Sequence, residues 1–566
     1  MDIVMTNRVA SRPFRALSLL ATAAWLLSVF VVAAPAQTSS STRRTPKARA
    51  HPRTPDLFVT ADACLACHNG LRTAAGEDVS IGDDWRASMM ANAGRDPYWI
   101  ASVRREMADH PGADAAIQDE CSVCHLPMAR TTHRAAGQPG EIFSHMPPRA
   151  DAVGLDRLAH DGVSCAACHQ ITADRLGTPE SYTGGYVIDT HAGAPRPIYG
   201  PFETDAGRST VMRSASGFTQ QQSSHVQQSA LCATCHTLIT EARAPNGEVI
   251  GRLAEQMPYE EWKHSAFVES RSCQACHMPT VDTATAASSV LGQPRALARH
   301  QFLGGNFFML RLLNRFRDEL GVLAPAAQLE RAADRTIAFL QKDAANLAID
   351  SVTLSDRRLT FDVAVENLSG HKLPTGYPSR RAWLHLTVRN ASGQTVFESG
   401  AVGADGRIAG NDNDTDGSRV EPHYARISAP DQVPIFESVM ADASGTPTTG
   451  LLSGVRYVKD NRLLPRGFDK TTASADIAVV GDAVSDPDFQ GGRARVQYAL
   501  EVEAEDGPFE VSAELCFQPV GYRWAQGLKP YDSFETNRFG RHYESQAPAS
   551  SVVLSRSTVR VSSSSR

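Results

Sequence analysis

Cys64-Leu65-Ala66-Cys67-His68 is the first of five variants of one pattern in this chain. The others are Cys121-Ser122-Val123-Cys124-His125, Cys165-Ala166-Ala167-Cys168-His169, Cys232-Ala233-Thr234-Cys235-His236 and Cys273-Gln274-Ala275-Cys276-His277. Cys-x-x-Cys-His is the attachment signature of c-type haem. Two thiols add to the two vinyl groups of one porphyrin, and the adjacent histidine reaches the iron from one face. Five copies use ten of the eleven cysteines, which is not chance. The pattern predicts five covalent haems held by Cys64, Cys67, Cys121, Cys124, Cys165, Cys168, Cys232, Cys235, Cys273 and Cys276, with His68, His125, His169, His236 and His277 as proximal ligands. Zinc would want Cys-x-x-Cys pairs converging as four thiolates, and leaves the repeated histidine unexplained.

The sixth ligands decide the function, because a haem with two protein ligands transfers electrons and one with an open side can convert a small molecule. His160 and His225 stand five and seven residues before a motif cysteine, and His300 opens a Gly-rich turn. With His145 and His264 these are the candidate distal ligands; His110, His133 and His191 read as surface or propionate neighbours. Trp262-Lys263-His264-Ser265-Ala266-Phe267 echoes Trp85-Arg86-Ala87-Ser88-Met89-Met90. Met90 stands where a distal histidine is often found, so it reads either as a thioether ligand or as packing against a porphyrin.

Around the motifs, the chain reads as multidomain: a mainly α/irregular haem-binding region, then an all-β, immunoglobulin-like sandwich. A length of 566 residues calls for more than one core. Net charge −6 and a pI near 6.3 exclude a basic nucleic-acid footprint. Arg8, Arg12 and Arg15 precede the apolar run Ala16 to Ala34, followed by small residues before Gln37. Residues 1–36 therefore read as a signal peptide cleaved near Ala36-Gln37, with periplasmic export; the alternative is an uncleaved membrane anchor. Residues 37–59, with His51, form a polar linker expected to be disordered.

Residues 60–305 form the haem region, broken often by Gly and Pro, so that the porphyrins themselves are expected to serve as its core. A helical connector spans 306–347, with Phe308, Leu310, Leu312, Leu313 and Phe316 on one helix and a second helix over 326–347. Over 348–560 the period becomes two: Leu359/Phe361/Val363/Val365, Leu384/Leu386/Val388, Val496/Tyr498/Leu500/Val502 and Phe509/Val511/Ala513/Leu515/Phe517. The last two runs flank Glu505-Asp506-Gly507-Pro508, which predicts a hairpin. Cys516 reads as a buried core thiol and 561–566 as a polar tail. Asp412, Asp414 and Asp416 open like a calcium loop, but His423 stands where the bidentate Glu belongs, so a calcium site and an acidic surface turn are both open. His371, in Gly370-His371-Lys372-Leu373-Pro374, either reaches a haem or stabilises its loop; the loop reading is preferred.

Asn367-Leu368-Ser369-Gly370-His371-Lys372-Leu373-Pro374-Thr375-Gly376, Lys459-Asp460-Asn461-Arg462-Leu463-Leu464-Pro465 and Gly521-Tyr522-Arg523-Trp524-Ala525 resemble segments of bacterial multihaem cytochromes c. The haem half resembles the cytochrome c-552/c-554 type, a periplasmic electron-transfer group. This chain departs in having five haems and a long β region. The resemblance implies electron transfer, with redox proteins or quinol-linked complexes as partners. The rival is an oxidoreductase acting on a small nitrogen or sulfur compound at one five-coordinate haem, although no Cys-x-x-Cys-Lys motif is present. A haem-bearing adhesion or filament subunit is a third reading, carried only by the β region.

Overall fold

Alternating apolar residues in the C-terminal half build two five-stranded sheets. In the first, β1 (Ala345–Ser355), β2 (Arg358–Asn367) and β6 (Arg493–Glu501) lie side by side with β2 central, and two short strands extend β6. In the second, β3 (Arg381–Arg389), β4 (Thr395–Ser399), β7 (Phe509–Gln518) and β8 (Val552–Val561) run in the order β4-β3-β7-β8, with Ile435–Phe436 (β5) paired to β3. Register follows the alternation: Phe361 opposes Tyr498 and Val363 opposes Val496 on one sheet, while Leu384 opposes Leu515 and Leu386 opposes Ala513 on the other. All eight are buried and belong to one core between the sheets.

This computed structural model describes residues 56–191, 195–355, 357–503 and 506–562. The apolar run Ala16–Ala34, the cleavage site, His51 and most of the linker lie outside the described residues. Among the described residues, no helix is long and apolar enough to cross a membrane.

Two sequence expectations change. The segment around Gly507-Pro508 does not close a hairpin: β6 pairs with β2, and β7 pairs with β3 and β8. Strand periodicity identifies a half-buried face but not which sheet receives it, and here consecutive strands cross between sheets. The second connector helix ends earlier than expected, at Asp343, because Ala345, Leu347 and Ile349 alternate inward as the start of β1.

The helices α1 (Pro97–Asp109), α2 (Asp114–His125), α3 (Pro127–Ala135), α4 (Phe307–Arg315), α5 (Ala326–Asp343) and α6 (Phe534–Gln546) link the motif region to the sheets. Asp96 caps α1 by accepting from the Tyr98 and Trp99 amides, with Pro97 at its first position. Packing is continuous across the boundary near residue 305. The core that fills the sandwich also takes in Ala87, Tyr98, Ala101 and Met257. Arg104 pairs bidentately with Glu535 at 3.0 Å, and Glu106 accepts the Leu451 and Leu452 amides at 2.8 and 3.1 Å. Away from that shared core the motif region holds only small apolar clusters, such as Ala61, Leu65, Trp85 and Ala91.

Candidate functional site

Each Cys-x-x-Cys-His lies on or beside a helical turn: Asp62–Leu65, the end of α2, Cys165–Cys168, Ser229–His236 and Cys273–His277. Helical spacing of three and four brings both cysteines and the histidine to one face. The ten motif thiols are half-buried, none is in a disulfide, and Cys516 is buried. The motifs also meet one another. Cys64 is a side-chain neighbour of Cys165, Cys124 of Cys235, and Cys232 of Cys273; Cys168 lies within electrostatic reach of Cys232 and Cys235. The fourth motif is the junction.

The motif histidines are oriented by backbone carbonyls. His68 Nδ1 meets Ala287 O at 2.6 Å, His125 Nδ1 meets Ala93 O at 3.0 Å, His169 Nδ1 meets Tyr199 O at 2.6 Å, and His277 Nδ1 meets Leu303 O. Anchoring Nδ1 fixes the tautomer and leaves Nε2 as the ligating nitrogen. Trp99 lies parallel to His125 at 4.1 Å and 1°. His236 differs: it is exposed, and its ring makes no hydrogen bond among the described residues.

Two of these imidazoles face a second one. His300 is parallel to His169 within 23° at 6.4 Å between centroids, with its own Nδ1 3.2 Å from Ala298 O. His371 is parallel to His277 within 10° at 6.2 Å, with its Nδ1 2.9 Å from Lys372 O. Metal–imidazole bonds of about 2.0 Å on opposite sides of one ion place ring centroids about 6.3 Å apart. Burial pushes His125, His277 and His300 each down to about 4 and lowers His169 and His371, which favours the neutral imidazole, the form that binds metal. Yet none of the five is closed off from open space.

The remaining sequence candidates separate by what their ring nitrogens do. His145 Nδ1 is held by Asp156 at 2.8 Å, and its Nε2 is buried without a partner, 5.7 Å ring to ring from His133, whose Nε2 is likewise unpartnered. His160 and His225 use both nitrogens: His160 on His145 O and the Arg149 amide, His225 on Ile171 O and Ser223 Oγ. Neither has a lone pair left for iron in this arrangement. His264 Nε2 meets Asp469 O at 3.1 Å, and its ring packs edge-on against Phe468. His110 is fastened to Ala244 O and Ser453, and His191 is exposed.

The Trp-x-x-Ser echo is structural. Ser88 Oγ bonds to Trp85 O at 2.7 Å, and Ser265 Oγ to Trp262 O at 2.8 Å. The Trp85 indole donates to Val163 O and the Trp262 indole to Arg271 O, each two residues before a motif cysteine. The Met90 segment thus braces the third motif. Met90 itself is half-buried, and its carbonyl accepts the Val163 amide.

The His371 loop, between β2 and β3, is bolted to the fifth-motif region. Asn367 and Ser369 side chains donate to His371 O at 2.9 and 3.0 Å. Glu261, beside Trp262, accepts the Lys372 amide and the Thr375 hydroxyl and meets Arg462 at 3.0 Å. Lys372 and Arg462 share Asp460. Burial alone would raise the Asp460 carboxyl, but Arg462 and Lys372 outweigh it and hold it at about 2. Trp524 packs edge-on against Tyr377, the residue after Gly376, at 5.3 Å.

The calcium candidates do not converge. Arg381 takes Asp414 bidentately at 2.7 and 2.8 Å, Arg419 pairs with Asp412, and Asp416 caps the Ser418 amide. Among the described residues, no three His, Cys, Asp or Glu side chains form a cluster able to hold a metal ion.

No family model matches the chain, and no curated protein matches it. A solved structure, a penta-heme cytochrome c552 from Thermochromatium tepidum, is 17% identical and matches with a TM-score of 0.49, covering 90% of this chain and 100% of that one. The functional assignment therefore rests on the residues themselves.

Proposed function

We propose that this chain is an exported multihaem c-type cytochrome that carries electrons through five covalently bound haems. The observation that carries the reading is the pair of parallel imidazoles, His169 with His300 and His277 with His371, each pair including one motif histidine. The donor set fits haem c: paired thiols, a motif histidine with Nδ1 tied to a carbonyl, and an opposing imidazole held the same way. Haem, when bound, supplies one-electron iron chemistry whose potential depends on axial ligands, burial and hydrogen bonds. The chain's residues do the rest. The thiols fix each group in place, the carbonyls of Ala93, Tyr199, Ala287 and Leu303 orient the ligating rings, and the neutral imidazoles stay ready to coordinate. His145 is the next sixth ligand on this reading, because Asp156 orients it and its Nε2 is unpartnered. Neighbouring motifs run first to third, third to fourth, and fourth to both second and fifth, an order suited to transfer between adjacent centres. The apolar run Ala16–Ala34 supports export to the periplasm, where redox proteins or quinol-linked complexes would be partners.

One observation favours a second reading. His68, His125 and His236 face no other histidine ring among the described residues, and of the three His236 is the exposed one, so its haem is the first candidate for an open coordination side and small-molecule conversion. Electron paramagnetic resonance of the oxidised protein separates the two. Only low-spin signals are expected of the carrier; a high-spin signal that shifts on adding nitrite, hydroxylamine or cyanide would establish the enzyme instead.

A further inference from the structure

The two Trp-x-x-Ser segments share more than their indoles. Each tryptophan directly follows a buried carboxylate, Asp84 before Trp85 and Glu261 before Trp262, on a six-residue helix, Ile81–Arg86 or Pro258–Lys263. An interior carboxylate is costly unless its oxygens are engaged. Arg299 and Arg335 balance the charge of Asp84, and Arg462 balances that of Glu261. The remaining partners of the two carboxylates follow one plan.

Trp85 Nε1 donates at 3.0 Å to Val163 O, two residues before Cys165. Asp84 accepts from Arg299 at 2.8 and 3.2 Å and from Gln301 Nε2 at 3.3 Å. Arg299 and Gln301 flank His300, the ring parallel to His169 of that same third motif. Trp262 Nε1 donates at 2.9 Å to Arg271 O, two residues before Cys273. Glu261 accepts the Lys372 amide at 3.1 Å and the Thr375 hydroxyl at 2.6 Å. Lys372 follows His371, the ring parallel to His277 of that same fifth motif. Gly370, on the other side of His371, packs on Trp262 itself, where a Cβ would come within 3.3 Å of Cδ1. In both copies the indole holds the motif and the carboxylate holds the segment carrying the opposing ring. The groups that meet the carboxylates differ, two side chains in one case and an amide with a hydroxyl in the other. Two unrelated segments are thus captured in the same way, each beside a histidine that faces a motif.

We propose that Asp84 and Glu261 are positioning residues for the sixth ligands, Asp84 for His300 and Glu261 for His371, each setting with its adjoining tryptophan the separation of the two imidazoles at one haem site. The proposal rests on the haem reading above and adds the residues that hold each ligand pair.

The test compares wild-type holoprotein with Asp84→Asn and Glu261→Gln, by electron paramagnetic resonance of the oxidised form and cyanide titration of the Soret band. Losing a partner behind a metal ligand weakens coordination, so each variant is expected to let cyanide displace one imidazole about 10–100-fold more readily. The low-spin signal that Asp84→Asn alters should be the one His300→Ala removes. The signal that Glu261→Gln alters should be the one His371→Ala removes. In a His371→Ala background Glu261→Gln should add nothing at that haem, whereas beside His300→Ala it should keep its full effect. Asp414→Asn, which breaks a buried ion pair with Arg381, controls for general loosening and should leave every signal in place. If Asp84→Asn or Glu261→Gln does not accumulate, the carboxylate-preserving Asp84→Glu and Glu261→Asp must show a smaller change at the same haem. A wild type without haem, or histidine variants that stay low-spin, would defeat the haem reading instead. Responsive histidine variants beside carboxylate variants that match the wild type, or that disturb all haems alike, would overturn this proposal.

Discussion

His371→Ala is expected to convert one haem in five from low-spin to high-spin and to open it to cyanide and carbon monoxide. The substitution removes an imidazole that lies parallel to His277 at 6.2 Å. The loop itself should survive, because Asn367 and Ser369 hold the His371 carbonyl, and Lys372 is fixed by Glu261 and Asp460, none of which uses the ring. A spectroscopic change without loss of fold is therefore the expected signature, read by electron paramagnetic resonance and by a new cyanide-induced Soret shift. His300→Ala should do the same at the third motif, whereas His160→Ala and His225→Ala should leave the spin states alone, since both rings are engaged elsewhere. A His371→Ala protein that stayed entirely low-spin would remove the β region from haem ligation.

The second large effect concerns folding without haem. The helices α4 and α5 and both sheets share one extensive core, whereas much of the region before them is held by small clusters such as Leu71, Val79, Val281 and Leu297. The buried apolar side chains of residues 60–305, many of them alanines, at about 1.5–3 kcal/mol for each large one, fall short of ordering entropy of about 1–2 kcal/mol per residue over so long a segment. Chain made without haem attachment should thus lose its N-terminal half to limited proteolysis while a fragment beginning near Phe307 resists. The polar bridges from α1 to Glu535 and Thr449 add little once α1 is disordered, because half-exposed ion pairs contribute about 0–1 kcal/mol. Full-length resistance of the haem-free chain would show that protein packing alone specifies the motif region.

How much of this was legible beforehand differs by kind of interaction. The attachment motifs are readable because thioether chemistry imposes a local spacing on the chain. Sixth ligands are through-space partners, and chain proximity misleads. His160 and His225 sit close before motif cysteines, yet their ring nitrogens are engaged by neighbouring groups, while of the two rings that face motif histidines His300 was among the sequence candidates and His371 was read as a loop residue. The Trp85 and Trp262 echo was visible in sequence, but that each indole caps the carbonyl two residues before a motif needed the fold. In the β region, alternation located the strands correctly. It could not say that β6 and β7 go to different sheets, because a period of two describes a face and not its partner.

The central claim is that all five Cys-x-x-Cys-His turns carry covalent haem. Intact mass of the purified, denatured chain tests it most directly. Five haem additions that survive denaturation, with only Cys516 open to alkylation, are predicted. A chain of unmodified mass with eleven alkylatable thiols, or one carrying fewer than five haems under conditions of complete haem attachment, would contradict it.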